Sequence, residues 1–294
     1  MKRIRAAVTA VFLILSSVAS ARDRPTTIGE FYEPGAGTQV IAHRGFSSLA
    51  PENTLAAVRE AIAIGADMVE IDVTLSSDGE IVVIHDETLE RTTSGSGLVS
   101  DFTLAQLKEL DAGSWFNPRF AGEHIPTLEE VLRTVDGKIL LNIEIKSEAV
   151  ERGIAAKVIE TVRRSEMENQ VVISSFSPTA LEKVHSQAPD LLTAVLYNSK
   201  VHQGHDAVDI VASVGASVFN IKRQRLTATM SERCNEHGIP VGIYTVNKKR
   251  HMRRMIKKGV GAIFTDHPDR LIEVLAKHSP STPATVLVPA TANP

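Results

Sequence analysis

Cysteine is almost absent from this sequence of 294 residues, which contains only Cys234. A single cysteine excludes an intramolecular disulfide and any zinc cluster built on several thiolates. An excess of basic charge is also missing, because 32 Lys and Arg stand against 35 Asp and Glu, for a formal net charge of −3. The composition therefore gives no reason to expect a nucleic-acid partner. Any metal ion must be held by carboxylates and histidines.

The amino terminus has the pattern of a secretory signal peptide, predicted to cover residues 1–21. Three basic residues precede an apolar run at residues 6–18, and Ala19-Ser20-Ala21 supplies a small-x-small cleavage site. The run has about thirteen residues, whereas a transmembrane helix needs about twenty. An uncleaved membrane anchor is the alternative that this pattern leaves open. The signal predicts an exported protein, periplasmic or secreted.

Both ends of the remaining chain are rich in residues that break regular structure. Residues 22–37 contain several Pro and Gly and are interpreted as a leader outside the domain. Residues 278–294 are rich in Pro, Thr and Ala and are predicted to form a disordered tail. One domain, residues 38–277, is left between them, which is the size of a single α/β barrel.

Short runs rich in β-branched residues alternate with amphipathic stretches through this domain, as is typical of βα units and a parallel sheet. Eight strands are predicted, at Val40 to Ala42, Met68 to Val73, Ile139 to Ile145, Val171 to Ser174, Leu192 to Leu196, Ser217 to Asn220, Pro240 to Thr245 and Gly261 to Phe264. Eight such pairs indicate an α/β fold, the (β/α)8 TIM barrel. A doubly wound open sheet is the alternative, although the first strand lacks the Gly-rich loop expected there.

The second βα unit is atypical because a hairpin follows its strand. Asp78-Gly79, flanked by alternating residues, predicts a two-residue turn. In that register His85 lies directly opposite Asp72. The chain at about residues 86–126 then forms an insertion after the second strand.

Charged residues occupy two of the most apolar strands. Residues two apart in a strand point the same way, so Glu70 and Asp72 share one face, and Glu144 and Lys146 share another. Burying such charges is costly unless each is paired or metal-bound. Three carboxylates on neighbouring strands suit one divalent cation, Ca²⁺ or Mg²⁺, with Ca²⁺ slightly favoured. A structural ion pair between Glu144 and Lys146 is the open alternative.

The first strand ends in His43-Arg44-Gly45, which adds groups suited to phosphate. Arg44 offers a planar fork that matches phosphate oxygens, and glycine allows close backbone approach. Alone, this triplet is weak evidence, and a strand-end turn is the favoured interpretation of it. Combined with His85, the carboxylates and Lys146, it fits metal-dependent phosphodiester hydrolysis, with the two histidines as general acid and base.

A longer series of motifs resembles the glycerophosphodiester phosphodiesterase family between about residues 40 and 271. The series is His43-Arg44-Gly45, Pro51-Glu52-Asn53-Thr54, Glu70-Ile71-Asp72-Val73, Ser77-Asp78-Gly79, His85-Asp86, Arg91-Thr92-Thr93, Gly95-x-Gly97, Glu144-x-Lys146 and Phe264-Thr265-Asp266. The resemblance implies a TIM-barrel hydrolase that uses a divalent cation to convert glycerophosphodiesters to sn-glycerol 3-phosphate and an alcohol. It also implies that residues 86–126 are the characteristic insertion of the family.

The resemblance implies a role for each matching residue. The implied metal ligands are Glu70, Asp72 and Glu144, the catalytic pair is His43 and His85, and the phosphate contacts are Arg44 and Lys146. One departure is visible, because many members have Trp where this chain has Tyr244. We therefore expect a difference in the glycerol pocket, for which Trp115, Phe116 and Tyr244 are the candidate walls.

Two other functions remain open at this point. A lysophospholipase D or sphingomyelinase D-like enzyme would act on substrates that keep an acyl chain, and the apolar reach of the insertion around Trp115 and Phe116 would distinguish it. A catalytically dead barrel used as a binding module would be expected to lack a metal-binding or catalytic residue, and all five are present.

The expected partner is a small-molecule glycerophosphodiester, with no nucleic acid and no obligate protein partner. A basic run on the seventh predicted helix is expected to be a solvated face, with weak contact to an anionic membrane surface as the alternative. The run consists of Lys248, Lys249, Arg250, Arg253, Arg254, Lys257 and Lys258.

Overall fold

The computed structural model describes residues 24–278. The strands in this part of the chain are β1 (Gln39–His43), β2 (Met68–Leu75), β3 (Ile81–Val83), β4 (Leu140–Ile145), β5 (Val171–Ser175), β6 (Thr193–Leu196), β7 (Val218–Lys222), β8 (Val241–Tyr244) and β9 (Ala262–Thr265). All but β3 are parallel and form a closed ring, because β1 pairs with both β2 and β9. β3 pairs antiparallel with the end of β2, and β4 follows β2 in the ring.

Helices follow the strands and cover the outside of the ring. They are α1 (Ile28–Phe31), α2 (Leu55–Ile64), α3 (Leu104–Lys108), α4 (Leu128–Val135), α5 (Ile154–Arg164), α6 (Pro178–Gln187), α7 (Ser199–His202), α8 (Ala207–Ser213), α9 (Ala228–Glu236), α10 (Lys249–Lys257) and α11 (Pro268–Ala276). Short 3₁₀ turns lie at Val99–Asp101, Pro118–Phe120, Ser147–Arg152 and Glu168–Gln170. Threonine side chains cap several helices, as Thr54 does by accepting a hydrogen bond from the backbone N–H of Ala57.

The alternation of side chains along β2 shows how the sequence sets the barrel. Val69 and Ile71 belong to the large apolar cluster between strands and helices. Met68 points the other way and packs inside the ring. Because the period is two, Glu70 and Asp72 share the inner row with Met68, further toward the carboxyl end. The strand pattern therefore delivers both carboxylates to the interior of the barrel mouth.

The predicted TIM barrel is confirmed. Each of the eight predicted strands overlaps an observed strand, and their ends differ by no more than two residues. The closure of β1 on both neighbours excludes the open sheet. The antiparallel β3 and the insertion after the second strand are also present.

The register predicted for the hairpin is wrong by one residue. Val73 pairs with Val83, so the turn between the strands is one residue longer than the Asp78-Gly79 pattern indicated. Gly79 adopts φ +82° within this turn, a conformation that favours glycine. The longer loop is a common alternative to the two-residue turn.

This shift changes the residue that faces Asp72. The backbone N–H of Ile84, rather than a group of His85, donates a hydrogen bond to the carbonyl oxygen of Asp72 at 3.0 Å. His85 lies beyond the end of β3 and reaches the site from the start of the insertion.

The interpretation of residues 22–37 as a leader outside the domain is wrong for α1. A capping box starts this short helix. Ile28 and Phe31 are only 4% and 2% exposed and pack in the same interior cluster as Met68. A single helical turn carries too little periodicity to be recognised in a sequence, but its two apolar residues close the amino-terminal end of the barrel.

The insertion shares a small apolar core with β3 and the residue that follows it. This cluster consists of Val82, Ile84, Leu89, Val99, Leu107, Ala112 and Ile125. The carboxylate of Asp111 organises the loop beyond it by accepting hydrogen bonds from the backbone N–H groups of Gly113, Ser114 and Gly122. The insertion is therefore a folded unit beside the barrel mouth.

The predicted signal peptide, residues 1–21, lies outside the described residues, as does the predicted tail beyond His278. Both stay predictions. Within residues 24–278, none of the helices has the length and apolar character needed to cross a bilayer.

Candidate active site

A cavity of about 210 Å³ opens at the carboxyl ends of the barrel strands. It is lined by His43, Arg44, Glu70, His85, Glu144, Ser174, Phe176, Leu196, Lys222, Tyr244, Thr245 and Phe264. Active sites of parallel α/β barrels are built at this end. A larger cavity of about 460 Å³ lies beside α1 at the other end, and no histidine lines it.

Three acidic residues meet in the mouth of the barrel. Glu70, Asp72 and Glu144 each offer a carboxylate oxygen, and these oxygens lie within 4.8 Å of one another. The pairing of β2 with β4 places Asp72 beside Glu144. Burial and the charge of Asp72 raise the pKa values of Glu70 and Glu144. A buried set of oxygen ligands that repel one another fits a hard divalent cation.

Lys146 lies against two of these acids. Its Nζ is 3.1 Å from Glu144 Oε1 and 3.4 Å from Asp72 Oδ1. Burial raises the pKa of Asp72, but Lys146 and Arg44 outweigh it, so the net shift is downward. The ion pair considered from the sequence is therefore present together with the carboxylate cluster. Lys146 is not among the residues that line the cavity.

Arg44 combines an unusual backbone with three acidic contacts. Its φ of +57° is uncommon outside glycine. Its backbone N–H donates to Glu70 Oε2 at 2.8 Å, and its guanidinium donates to Glu52 Oε1 at 2.8 Å. Its Nε also lies 3.3 Å from Asp72 Oδ2. These contacts hold the guanidinium at the cavity wall, where it can meet an anion.

Gly45 is required by packing. Its φ is +81°, and a Cβ added here would lie 2.6 Å from Ala57. The close approach that glycine permits is therefore to helix α2, which brings the strand end and the helix together.

Two residues of Pro51-Glu52-Asn53-Thr54 support the site, although sequence reasoning assigned them no role. Asn53 Nδ2 donates to Asp72 Oδ2 at 2.8 Å, and Asn53 Oδ1 accepts from the Asp72 backbone N–H at 3.2 Å. Glu52 bridges Arg44 and Arg91. The only signal in the sequence was a polar pair next to the helix cap Thr54.

His43 is held by groups that follow β8 and β9. Its Nδ1 lies 2.7 Å from Asp266 Oδ1. Asp266 is positioned in turn by Asn247, whose Nδ2 donates to Asp266 Oδ2 at 2.5 Å. Burial lowers the pKa of His43, but the charge of Glu70 and the hydrogen bond to Asp266 outweigh it, so the pKa is raised. Sequence reasoning assigned no role to either supporting residue, although Asp266 stands in one of the motifs.

His85 is held by the insertion. Its Nδ1 lies 2.6 Å from Asp86 Oδ1, and Asp86 Oδ2 accepts from Arg91 Nε at 2.5 Å. Arg91 also donates two hydrogen bonds of 2.8 Å to Glu52. Burial is the main cause that lowers the pKa of His85.

Aromatic rings form the wall opposite the acids. Tyr244 lies edge-on to Phe176 and Phe264, with ring centroids 6.0 and 6.2 Å apart. The Tyr244 hydroxyl donates to the carbonyl oxygen of Tyr197 at 3.0 Å. The hydroxyl that distinguishes Tyr from Trp is thus engaged by the backbone, and the ring faces the cavity.

The structure does not bring Trp115 and Phe116 to this wall. Neither lines the cavity. Trp115 is 41% exposed and donates from Nε1 to the carbonyl oxygen of Ala112 at 2.9 Å. Its ring contacts Phe116, so the two residues pack within the insertion. Of the three candidate walls, the cavity contains Tyr244 alone.

The basic run lies on α10 and its flanks. Met252 and Met255 are the buried residues of that helix, and Lys249 forms an ion pair with Glu273. The other basic residues of the run are exposed. The run therefore forms the solvated face that its pattern indicated.

Taken together, the cavity brings a carboxylate cluster, an anion-binding guanidinium and two carboxylate-paired imidazoles within reach of one small molecule. Such a set can neutralise a phosphoryl group and move a proton on either side of it. It fits displacement at phosphorus.

Comparisons with known proteins agree with this chemistry. Residues 43–270 match the model of the glycerophosphoryl diester phosphodiesterase family. A glycerophosphodiester phosphodiesterase of Caldanaerobacter subterraneus is 46% identical over 244 residues, which cover 82% of this chain and 98% of that protein.

Solved structures are similar as well. A phosphodiesterase of Oleispira antarctica in complex with the product sn-glycerol-3-phosphate has a TM-score of 0.76 and 32% identity, over 81% of this chain and 96% of that one. A glycerophosphodiester phosphodiesterase of Agrobacterium tumefaciens has a TM-score of 0.72 and 32% identity, over 80% and 99%.

Proposed function

Because the chain belongs to the glycerophosphoryl diester phosphodiesterase family of enzymes, we propose that it hydrolyses glycerophosphodiesters to sn-glycerol 3-phosphate and an alcohol. One observation carries the proposal, the meeting of the acidic cluster, Arg44 and both paired histidines in one cavity. In this reaction water supplies the oxygen that ends on phosphorus, and the alcohol oxygen gains a proton as its bond to phosphorus breaks.

Arg44 binds the phosphate in this proposal. Its guanidinium is fixed by Glu52 and Asp72 and lines the cavity. A planar cation that is already oriented loses little freedom when it binds phosphoryl oxygens. Lys146 does not line the cavity. It supports the site indirectly, because its ammonium offsets the negative charge of Asp72 and Glu144.

Glu70, Asp72 and Glu144 would hold one divalent cation, Ca²⁺ or Mg²⁺. The oxygen-only ligand set and its mutual repulsion support this assignment. When bound, such a cation supplies positive charge that stabilises the phosphoryl oxygens. Asn53 and the backbone N–H of Arg44 keep two of the carboxylates oriented toward the site.

The two histidines move protons in this proposal. The lowered pKa of His85 favours the neutral imidazole, which accepts a proton from the nucleophile. His43, whose Nδ1 is paired with the Asp266 carboxylate at 2.7 Å, takes the other role in this proposal and donates a proton to the leaving alkoxide. Asp266 and Asp86 each accept a hydrogen bond from Nδ1, which leaves Nε2 of both rings for the reaction.

The test is release of glycerol 3-phosphate from glycerophosphocholine, glycerophosphoethanolamine and glycerophosphoglycerol, with lysophosphatidylcholine as the comparison substrate. We expect turnover of the three diesters, loss of turnover in EDTA, and recovery with Ca²⁺ or Mg²⁺. Release of choline from the lysophospholipid without turnover of the diesters would contradict the proposal.

Metal binding is measured separately by calorimetry. We expect Glu144→Gln to weaken Ca²⁺ or Mg²⁺ binding about tenfold to a hundredfold. The matched control is Glu148→Gln, which removes an acid outside the triad. Equal affinity of Glu144→Gln and wild type would contradict the carboxylate site.

Neither alternative from the sequence is favoured. The aromatic residues of the insertion that would have marked a substrate with an acyl chain do not line the cavity. A dead barrel is disfavoured because all five metal-binding and catalytic candidates are present, and four of them line one cavity.

The predicted export also remains a proposal, supported by the basic and apolar pattern of residues 1–21. Cell fractionation and amino-terminal sequencing of the purified protein test it. A mature chain that begins after Ala21 in an extracytoplasmic fraction is expected, and an intact chain in the cytosol would contradict it. Co-sedimentation with anionic vesicles tests membrane contact through the exposed residues of α10.

A further inference from the structure

Lys222 stands apart from the residues assigned so far. It ends β7 and lines the same cavity as the two histidines. The ring order places β7 four strands from β2 in either direction, so Lys222 lies across the barrel mouth from Glu70. Within residues 24–278 it has no ion-pair partner. The cavity thus contains a cation that the acidic cluster does not neutralise.

The half of the cavity around Lys222 contains no carboxylate in its lining. Its neighbours there are Leu196, Tyr244, Thr245 and Phe264. The two lining acids, Glu70 and Glu144, belong to β2 and β4 on the other side. An unpaired ammonium beside apolar walls, at the mouth of a binding cavity, is complementary to a negative group on the ligand.

Other cations extend this half of the mouth. Lys222 pairs in register with Tyr244, and the backbone N–H of Arg223 donates to the Tyr244 carbonyl oxygen at 3.2 Å. Burial and then the charges of Arg223, Arg250 and Lys248 lower the pKa of His251, so each of these cations lies near His251 in α10. The segments that follow β7 and β8 therefore add positive charge outside the cavity, beginning with Arg223 next to Lys222.

The chemistry of glycerophosphodiesters determines which half of the substrate can contact the ammonium of Lys222. In a glycerophosphodiester the glycerol half carries only neutral hydroxyls besides the bridging phosphate. Arg44 and the carboxylate site lie on the other side of the mouth, where they are suited to that phosphate. An additional negative group that reaches Lys222 can only belong to the alcohol half.

We propose that Lys222 is the anion contact of a second subsite, which selects glycerophosphodiesters whose alcohol carries a carboxylate or a second phosphate. This inference depends on the proposed function. It predicts that the enzyme discriminates by the charge of the alcohol, since a choline or ethanolamine cation would be repelled where an anion is attracted.

The experiment compares substrates that differ by one charged group. Glycerophosphoglycerol is the neutral member, its derivative with a terminal phosphate is the phosphate arm, its derivative with the terminal carbon oxidised to a carboxylate (glycerophosphoglycerate) is the carboxylate arm, and glycerophosphocholine is the cationic member. We expect wild type to have the highest kcat/KM for an anionic alcohol. We expect Lys222→Met to lower the ratio of anionic to neutral kcat/KM about fivefold, mainly through KM, because Lys222 is exposed.

The controls separate charge from folding. Lys222→Arg should keep the ratio and Lys222→Glu should reverse the preference. Lys138→Met removes the same charge at the opposite end of the barrel and should leave the ratio unchanged. The wild-type preference should also shrink as salt rises.

Two results would overturn the inference while leaving the proposed function standing. One is a wild-type enzyme that hydrolyses all members without preference for an anionic alcohol. The other is a Lys222→Met variant, folded by its melting temperature, that retains the wild-type ratio. Failure of wild type to release glycerol 3-phosphate from every member would instead contradict the proposed function itself.

Discussion

The two histidines of the cavity are held by different parts of the molecule. His43 ends a barrel strand, and its carboxylate partner Asp266 follows the last strand, far away in the sequence. His85 directly precedes the insertion, and its partner Asp86 is the adjacent residue. The side chain of His43 is 19% exposed and that of His85 is 33% exposed.

This difference teaches how each ring is kept in place. The position of His43 depends on the closure of the barrel, because β1 and β9 must pair for Asp266 to reach it. The position of His85 depends on docking of the insertion, which Arg91 ties to Glu52 in the loop before α2. We expect the barrel histidine to be the more rigidly held of the two.

The largest expected effect comes from removing either ring. His43→Ala and His85→Ala should each lower kcat about 10²- to 10⁴-fold, because each removes a group that transfers a proton. Steady-state assays with glycerophosphoglycerol measure this, with melting temperatures as the control for folding. If one variant kept nearly the wild-type rate, only the other histidine would belong to the acid and base pair.

A smaller effect should separate the carboxylate partners. Asp266→Asn should lower kcat about tenfold to a hundredfold by loosening the orientation of His43. Asp86→Asn should cost less, because Asp86 and its neighbour His85 stay close along the chain. Profiles of kcat against pH distinguish a positioning role from simple loss of folded protein. Equal decreases in kcat for Asp266→Asn and Asp86→Asn would contradict the expected difference between the barrel histidine and the histidine beside the insertion.

The docking contact of the insertion should have a smaller effect still. Arg91 is 44% exposed, so Arg91→Met should cost at most about fivefold in kcat/KM. Arg119→Met is the matched control, since Arg119 also joins the insertion to the barrel by donating to the Leu49 carbonyl oxygen. If kcat/KM fell only in Arg91→Met, the hydrogen bonds that link Glu52 through Arg91 to His85 would be the cause. If it fell similarly in Arg91→Met and Arg119→Met, docking of the insertion in general would be the cause.

The smallest expected effect is a pH-dependent change in stability. The pKa of Asp266 is lowered, despite burial, by its hydrogen bond to His43, so its contribution is present above the ordinary Asp pKa and lost as pH falls. The pKa of His43 is raised, so the stability that its imidazolium contributes is fully present below the ordinary His pKa and is lost as pH rises. Asp266→Asn should therefore lower the melting temperature most between about pH 4 and 6.5. A uniform decrease from pH 4 to 9 would contradict the pairing.

Residues whose neighbours are set by strand periodicity could be predicted from the sequence. Glu70, Asp72 and Glu144 share inward rows of adjacent strands, and a period of two is sufficient to bring them together. Asp266 and Asn53 could not be placed in the same way, because they reach the site from loops. Loop geometry depends on packing between distant segments, which no local pattern encodes.

The errors have similar causes. The hairpin register depended on the length of one turn, which Asp78-Gly79 alone does not determine. Trp115 and Phe116 looked like pocket walls because of their composition, yet their packing partners lie within the insertion. The role of α1 was missed because two apolar residues in one turn give no periodic signal.

Helix α1 closes the amino-terminal end of the barrel, so residues can be removed from the amino terminus only up to α1 before the fold is destabilised. A protease that stops at or before Pro25 leaves the capping box of α1 complete, because Thr26 and Thr27 still donate to the carboxylate of Glu30. One that passes Phe31 removes a buried ring, worth about 1.5–3 kcal/mol of folding stability. Such a cut would leave every residue that lines the cavity in the chain. The melting temperature would nevertheless fall, because the cut destabilises the end of the barrel opposite the active site.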